Sequence, residues 1–80
     1  MPTIMKVNDY QFKIYRRDTP PAHTHVKCNG KEVIVILGQP MIVADNWGFN
    51  QTEIAEILDI LKLRGGTFIY GHWDRYNLQR

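Results

Sequence analysis

Hydrophobic and polar residues alternate along two stretches in the first half of the chain. From Tyr10 to Arg17, and again from His23 to Cys28, the even positions carry mainly apolar side chains and the odd positions mainly polar ones. A period of two is typical of strands that bury one face. We therefore predict two strands, separated by a break at Pro20-Pro21, where two backbone amide donors are missing.

Two turn signals extend the predicted sheet. Asn29-Gly30 favours a type I′ hairpin, because both central residues of that turn need positive φ. It predicts an antiparallel strand from Lys31 to Leu37. Gly38-Gln39-Pro40 predicts a second turn, followed by a short strand from Met41 to Ala44. Three or four antiparallel strands are thus expected within residues 1–46.

The second half of the chain has a helical period. Asn50, with Glu53 three residues later, matches an N-cap and its capping-box partner. Apolar residues follow at i, i+3, i+4 and i+7, namely Ile54, Ile57, Leu58 and Leu61. Gly65-Gly66 predicts the end of this helix. A shorter aromatic stripe then predicts a closing helix from about Thr67 to Asn77, and the stripe consists of Phe68, Ile69, Trp73 and Tyr76.

These elements predict one α+β domain over residues 1–80. Its three- or four-stranded antiparallel sheet would be followed by two C-terminal helices, within residues 50–78, packed on one sheet face. The other face is left for solvent or a partner. In the connection between sheet and helix, Trp47 is interpreted as a core residue, with an exposed patch as the alternative. Phe49 is interpreted as a hydrophobic staple against Ile54.

Length and composition narrow the class of protein. A chain of 80 residues buries a limited core, which favours pairing with another protein or with a second copy as a homodimer. Cys28 is the only cysteine, so an internal disulfide and a thiolate zinc site are excluded; on the inward face it is interpreted as an inert core residue. The longest apolar run, Val33 to Leu37, is too short to cross a bilayer. We expect a cytoplasmic protein without membrane contact.

Charge is distributed unevenly along the chain. The net charge is only +2, but basic residues gather in the first half and acidic ones in the first predicted helix. The basic set comprises Lys13, Arg16, Arg17, Lys27 and Lys31, and the acidic set comprises Glu53, Glu56 and Asp59. The sheet is therefore the part of the protein that can attract an acidic partner.

The segment from Pro20 to Val26 carries the candidate chemistry. His23 and His25 stand at alternate positions of an extended strand, so their rings project from the same face. The same parity assigns Lys27 to that face. It also assigns three polar residues of the first strand to one face, namely Lys13, Tyr15 and Arg17. If the two strands pair, all these groups share one surface.

Such a surface has several interpretations. It can be a solvated sheet face, or it can bind RNA, with cationic groups on phosphates and Tyr15 stacked on a base. It can also be a metal-independent ribonuclease that uses His23 or His25 as general acid or base. A metal site would need a third ligand, from His72 or Asp74, because two imidazoles are too few. We therefore predict no metal and no cofactor.

Several segments together resemble a known family. They are Met-Pro-Thr-Ile at the N-terminus, Phe-Lys-Ile-Tyr in the first strand, Pro-Pro-Ala-His-Thr-His-Val at residues 20–26, and a terminal helical region with a tryptophan. In these segments the chain resembles the small bacterial family catalogued as domain of unknown function 4160. Members more typically read His-Pro-Pro-His-x-His-Val, whereas here Thr19 stands in place of the first histidine and Ala22 is inserted. The resemblance implies a component of a toxin–antitoxin-type two-gene module.

The residues and the resemblance lead to one main hypothesis. The protein is a toxin–antitoxin-type component that binds RNA or its cognate antitoxin or toxin protein through the basic, histidine-bearing sheet face. RNA cleavage would use His23 or His25, with Lys13 and Arg17 stabilising phosphate charge and Tyr15 positioning a base. The alternative is a non-enzymatic protein-interaction module, either an antitoxin or an accessory subunit.

Overall fold

The protein contains a five-stranded antiparallel meander followed by a helix. The computed structural model describes residues 3–14, 21–38 and 40–65, together with residues 69, 71 and 73. The strands are neighbours in chain order: β1 (Thr3–Val7), β2 (Tyr10–Lys13), β3 (His23–Cys28), β4 (Lys31–Ile36) and β5 (Ile42–Trp47). Helix α1 (Gln51–Ile60) continues into a π-helical turn, Leu61–Gly65. No helix among these residues has the length and apolar character needed to span a bilayer.

The predicted fold class was wrong in two respects. The sheet has five strands, not three or four, and α1 is the single C-terminal α-helix whose bounds lie within the described residues, in place of a pair. Strand β1 was missed because its burial does not alternate. The predicted closing helix falls mostly outside the described residues. Three residues of that segment, Ile69, Gly71 and Trp73, are described; all three are helical, and Ile69 and Trp73 are buried in the core.

The central hairpin confirms the turn prediction. Asn29 and Gly30 have φ of 51° and 79°, as a type I′ turn requires, and they join β3 to β4. The bounds of β3 agree with the predicted strand, and β4 ends one residue before the predicted Leu37. A second hairpin of the same kind joins β1 to β2 through Asn8 and Asp9, with φ of 52° and 72°. Both tight turns lie at the same end of the meander.

The sheet buries one face under the helical layer. Its inward side chains form one hydrophobic cluster with residues of α1, the π-helical turn and the closing segment. The fully buried members with the largest side chains are Phe12, Ile14, Ile57, Leu61 and Ile69. Thr24 is the one buried polar residue among those that the structure describes, and its hydroxyl donates to the backbone oxygen of Lys13 over 3.0 Å. The hydroxyl is therefore satisfied where β2 ends.

The start of α1 has the predicted capping box. The side chain of Asn50 accepts from the backbone amide of Glu53, and the Glu53 carboxylate accepts from the backbone amide of Asn50. Glu53 also accepts from Lys31 Nζ over 2.6 Å. Both hydrogen bonds lower the pKa of Glu53 below its usual range, and the one from Lys31 has the larger effect.

A second polar contact joins the helix to the sheet. The Tyr10 hydroxyl donates to Glu56 Oε1 over 2.7 Å. Burial, together with this carboxylate, raises the pKa of Tyr10 far above its usual value, so the phenol stays protonated. The Tyr10 ring lies 6.0 Å from the Phe49 ring, and Phe49 is buried as expected. Together with the Lys31–Glu53 pair, these contacts fix α1 over the inward face.

Replacing Gly48 with alanine should lower the free energy of unfolding by about 1–3 kcal/mol. Gly48 has φ of +101°, and a Cβ there would lie 2.8 Å from Lys31 Cγ. Lys31 is held on Glu53 and over the Phe49 ring, at 5.3 Å from its centroid, so its stem has little room to move. Urea unfolding followed by circular dichroism measures the effect. Gly38→Ala is the control, since the nearest atom to a Cβ there is 3.7 Å away; equal losses in both variants would contradict the argument.

Candidate nucleic-acid interface

The sheet face opposite α1, here called the open face, is organised in cross-strand rows. The strand register defines a lysine row, Lys6, Gln11, Lys27, Glu32 and Trp47. It also defines a histidine row, Thr3, Lys13, His25, Ile34 and Asp45, and a short row, His23, Ile36 and Ile42. Neighbours within a row stand on hydrogen-bonded strands about 4.8 Å apart. The rows therefore bring polar groups from distant parts of the sequence into one surface.

The two histidines lie together on the open face. Their ring centroids are 5.3 Å apart with the planes tilted by 57°. His23 Nδ1 lies 2.8 Å from the Pro21 carbonyl oxygen, and His25 Nδ1 lies 2.9 Å from Glu32 Oε2. In each pair the imidazole donates from Nδ1, so a neutral ring carries its lone pair on Nε2. Both rings are thus oriented by the residues around them.

The histidines differ in accessibility. The His25 side chain is 15% exposed and its Nε2 is buried, while Nδ1 is occupied by Glu32. His23 is half-buried, and its contact with Pro21 lies at the surface. A group that exchanges protons with an external substrate must be reachable by it. His23 is therefore the better placed of the two predicted histidines, and His25 is better suited to positioning.

Glu32 is a site residue that the sequence interpretation missed. Its two carboxylate oxygens face different partners, Oε2 at 2.9 Å from His25 Nδ1 and Oε1 at 3.9 Å from Lys27 Nζ. Lys27 remains 44% exposed, so this ion pair is solvent-screened and contributes little to stability. The contacts of Glu32 matter more for the arrangement of the open face, because they connect the histidine row to the lysine row. The Asn29-Gly30 hairpin contained the signal, since its register places residue 32 opposite residue 27.

Three lysines form the basic half of the open face. Lys13 pairs with His25, as the strand parity predicted, and Lys27 lies two residues along β3 from that pair. Lys6 is exposed on β1 and lies opposite Gln11, the residue that also pairs with Lys27. Strand β1 was not predicted from the sequence, and Lys6 was therefore not included in the predicted site. Tyr15 and Arg17, the other predicted members, lie outside the described residues. The basic character of this half therefore comes from three adjacent strands.

The other half of the open face is largely apolar. Trp47 is 54% exposed and Ile42 is 53% exposed, and they stand beside the half-buried Ile34 and Ile36. The prediction that Trp47 is a core residue was wrong. Trp47 is exposed because β5 contains a bulge. The register shifts between the pairs Val35–Val43 and Ile34–Asp45, so residue 44 is the extra residue. Without the shift, Trp47 would point to the inward face.

A groove of about 470 Å³ lies at the end of the sheet that carries the two tight turns. It is lined by Lys6, Asp9, Gln11, Lys27, Cys28, Asn29 and Gly30. Cys28 was expected in the core; it is half-buried, packs against the hydrophobic cluster and also borders this groove. The groove is thus the part of the basic half where side chains from three strands surround a defined space.

The histidine pair has no third metal ligand close enough to complete a site in the part of the chain that the structure describes. No group of three or more histidine, cysteine, aspartate or glutamate residues there could hold a metal ion. His72 and Asp74, the third ligands weighed from the sequence, lie outside that part.

Comparison with known proteins gives one result. The family model described as Domain of unknown function (DUF4160) matches residues 10–73. The chain belongs to this family. No curated protein and no solved structure matches it significantly.

The DUF4160 match covers the strands that carry the histidines and most of the open face. It begins at Tyr10, the first residue of β2, and ends at the buried Trp73. Lys6 on β1 lies outside it. Membership of DUF4160 confirms the resemblance seen in the sequence, and it assigns no reaction or partner to the open face.

Proposed function

We propose that this DUF4160 protein binds single-stranded RNA across its open face. The observation that carries the proposal is the lysine row, in which Lys6 and Lys27 flank Gln11 and the exposed Trp47 stands at the far end. Lysines bind backbone phosphates, and an exposed indole offers a stacking surface for a base. From Lys6 to Trp47 the row spans four strand intervals, or roughly 19 Å, a length that several nucleotides would cover.

A single strand suits this surface better than a duplex. Bases in duplex RNA are stacked on one another, and their edges in the deep major groove are out of reach of side chains. The open face offers an aromatic ring at 54% exposure and aliphatic side chains beside cations, which favours unstacked bases. Lys13, placed beside His25, would hold a further phosphate near the imidazoles.

The histidines allow the proposal to include RNA cleavage. In such a reaction His23 Nε2 accepts the proton of a ribose 2′-hydroxyl, whose oxygen attacks the adjacent phosphorus. The bond from phosphorus to the 5′-oxygen breaks, that oxygen takes a proton from solvent water, and His23 returns its proton to solvent, which leaves a 2′,3′-cyclic phosphate and a 5′-hydroxyl. Lys13 would stabilise the charge on the phosphate oxygens. A cytoplasmic toxin of a bacterial toxin–antitoxin pair would have this activity, with its cognate antitoxin as the protein partner.

The binding proposal is tested by the salt dependence of RNA affinity. Fluorescence anisotropy of a labelled single-stranded RNA, measured from low to high salt, should give a slope near −0.7 per phosphate contact. Replacing Lys6, Lys13 and Lys27 together with alanine should reduce the magnitude of that slope by about 2 and weaken binding at every salt concentration. Lys62→Ala, an exposed lysine in the π-helical turn, is the control. Equal affinity and slope in all three proteins would rule the proposal out.

The apolar half of the open face favours a second candidate, a non-enzymatic protein-interaction module. Ile42 and Trp47 project from β5, an edge strand with no lysine and no proline. Exposed apolar side chains on an edge strand are typical of surfaces that dock a partner. In this case the partner would be the cognate toxin or antitoxin protein, and expression of the chain alone would not arrest growth.

A further inference from the structure

We infer that the groove at the tight-turn end of the sheet is a nucleotide site, with the phosphate on Lys6 and Lys27 and a base or ribose donor on Asp9. The inference rests on the proposed RNA binding and deepens it, because it assigns one nucleotide of the bound strand to a defined place. The site differs from the histidine pair, which lies in neighbouring rows of the open face.

The phosphate end of the site follows from the register. Lys6 and Lys27 are both direct cross-strand neighbours of Gln11, so their Cα atoms are two strand intervals apart, about 10 Å. Flexible side chains from both can reach one phosphate above Gln11, whose amide offers further donors. Lys27 Nζ is 3.9 Å from Glu32 Oε1, a distance that leaves its ammonium donors available.

Asp9 indicates what kind of anion the groove would take. A carboxylate in the same groove as two ammonium groups repels a bare phosphate but accepts hydrogen bonds from a neutral donor. A nucleotide combines both requirements, because its phosphate is anionic and its base and ribose carry N–H and O–H donors. Guanine meets the carboxylate best, since N1–H and the exocyclic amino group point in the same direction.

The turn conformations place these groups at the rim. Asp9 is the second residue of one tight turn, and Asn29-Gly30 forms the other, all with positive φ. Both turns are fixed by the hairpins that they close. A volume of about 470 Å³ lies within the usual range of small-molecule sites.

Cys28 makes the site measurable. It is the only cysteine in the chain and borders the groove, so the rate at which a thiol reagent modifies it reports occupancy. A ligand present at about ten times its Kd leaves roughly one groove in ten empty. Guanosine 5′-monophosphate at that concentration should therefore slow modification roughly tenfold. Guanosine and inorganic phosphate, each at the same concentration, should slow it far less.

Two variants localise the effect, and one serves as a control. Lys6→Ala and Asp9→Asn should each remove most of the protection by guanosine 5′-monophosphate, while Lys62→Ala should keep it. Circular dichroism of each variant confirms that it is folded. Protection that persists in both groove variants would overturn the inference, as would inorganic phosphate protecting as well as the nucleotide.

The outcomes also separate this inference from the proposal on which it rests. Lysine-dependent RNA binding without protection of Cys28 would overturn the nucleotide groove and leave RNA binding in place. Protection by guanosine 5′-monophosphate without RNA binding would support the groove and overturn the RNA proposal. Loss of both signals in the unmodified protein would overturn both.

Discussion

Replacing Phe12 with alanine should leave most of the protein unfolded at 25 °C. Phe12 has no solvent exposure and lies in the hydrophobic cluster on β2. Removing a buried phenylalanine ring costs about 3–5 kcal/mol, through lost burial and the cavity that remains. A domain of this length has a total stability of roughly that size. Urea unfolding followed by circular dichroism should show no folded baseline for the variant.

Two further variants make this prediction specific to core packing. Phe12→Leu retains most of the buried volume and should stay folded with a smaller loss of about 1–2 kcal/mol. Ile42→Ala removes an aliphatic side chain that is 53% exposed and should change stability by less than about 0.5 kcal/mol. A cooperative unfolding transition of Phe12→Ala close to that of the unmodified protein would contradict the packing of β2.

Local signals in the sequence were sufficient to predict the central part of the fold. The alternation in β2 and β3 and the Asn29-Gly30 turn are short-range features. Strand β3 and the turn appear where they were predicted, and β2 begins at the predicted Tyr10 but ends at Lys13, before the predicted Arg17. The capping box at Asn50 is equally local. Strand β1 has exposed residues at both Thr3 and Lys6 with half-buried ones between them, so its pattern matches no single period. Its turn, Asn8-Asp9, was the available signal, because both residue types tolerate positive φ.

The candidate site could be predicted only where side chains alternate regularly along an uninterrupted strand. Lys13, His25 and Lys27 lie on one face because an uninterrupted strand alternates. The exposure of Trp47 was not predictable in this way, since one extra residue in β5 reverses every side chain after it. Lys6 required knowledge of β1, and the burial of His25 Nε2 depends on packing between strands. Features set by register and packing need the three-dimensional structure.

Replacing His23 with alanine should reduce RNA cleavage by about 10²–10⁴-fold, the range that a positioned general acid or base contributes. In the proposed reaction Nε2 of His23 takes the 2′-hydroxyl proton, and Nδ1 is held by the Pro21 carbonyl at 2.8 Å. Rates come from a 5′-labelled single-stranded RNA, with the 2′,3′-cyclic phosphate product identified by mass spectrometry. RNA affinity should change little, because the cationic residues remain.

The matched variant is His25→Ala, which separates chemistry from positioning. Since Nδ1 of His25 faces Glu32 and its Nε2 is buried, the change should lower stability and weaken activity through its neighbours, with a smaller loss of rate than His23→Ala. Expression alone in a bacterial host gives an independent readout: growth arrest that is abolished by a His23→Ala/His25→Ala double variant, shown by circular dichroism to be folded, supports a catalytic open face. If the unmodified chain neither arrests growth nor cleaves RNA, the exposed Ile42 and Trp47 side becomes the functional surface, and the protein acts by docking a partner.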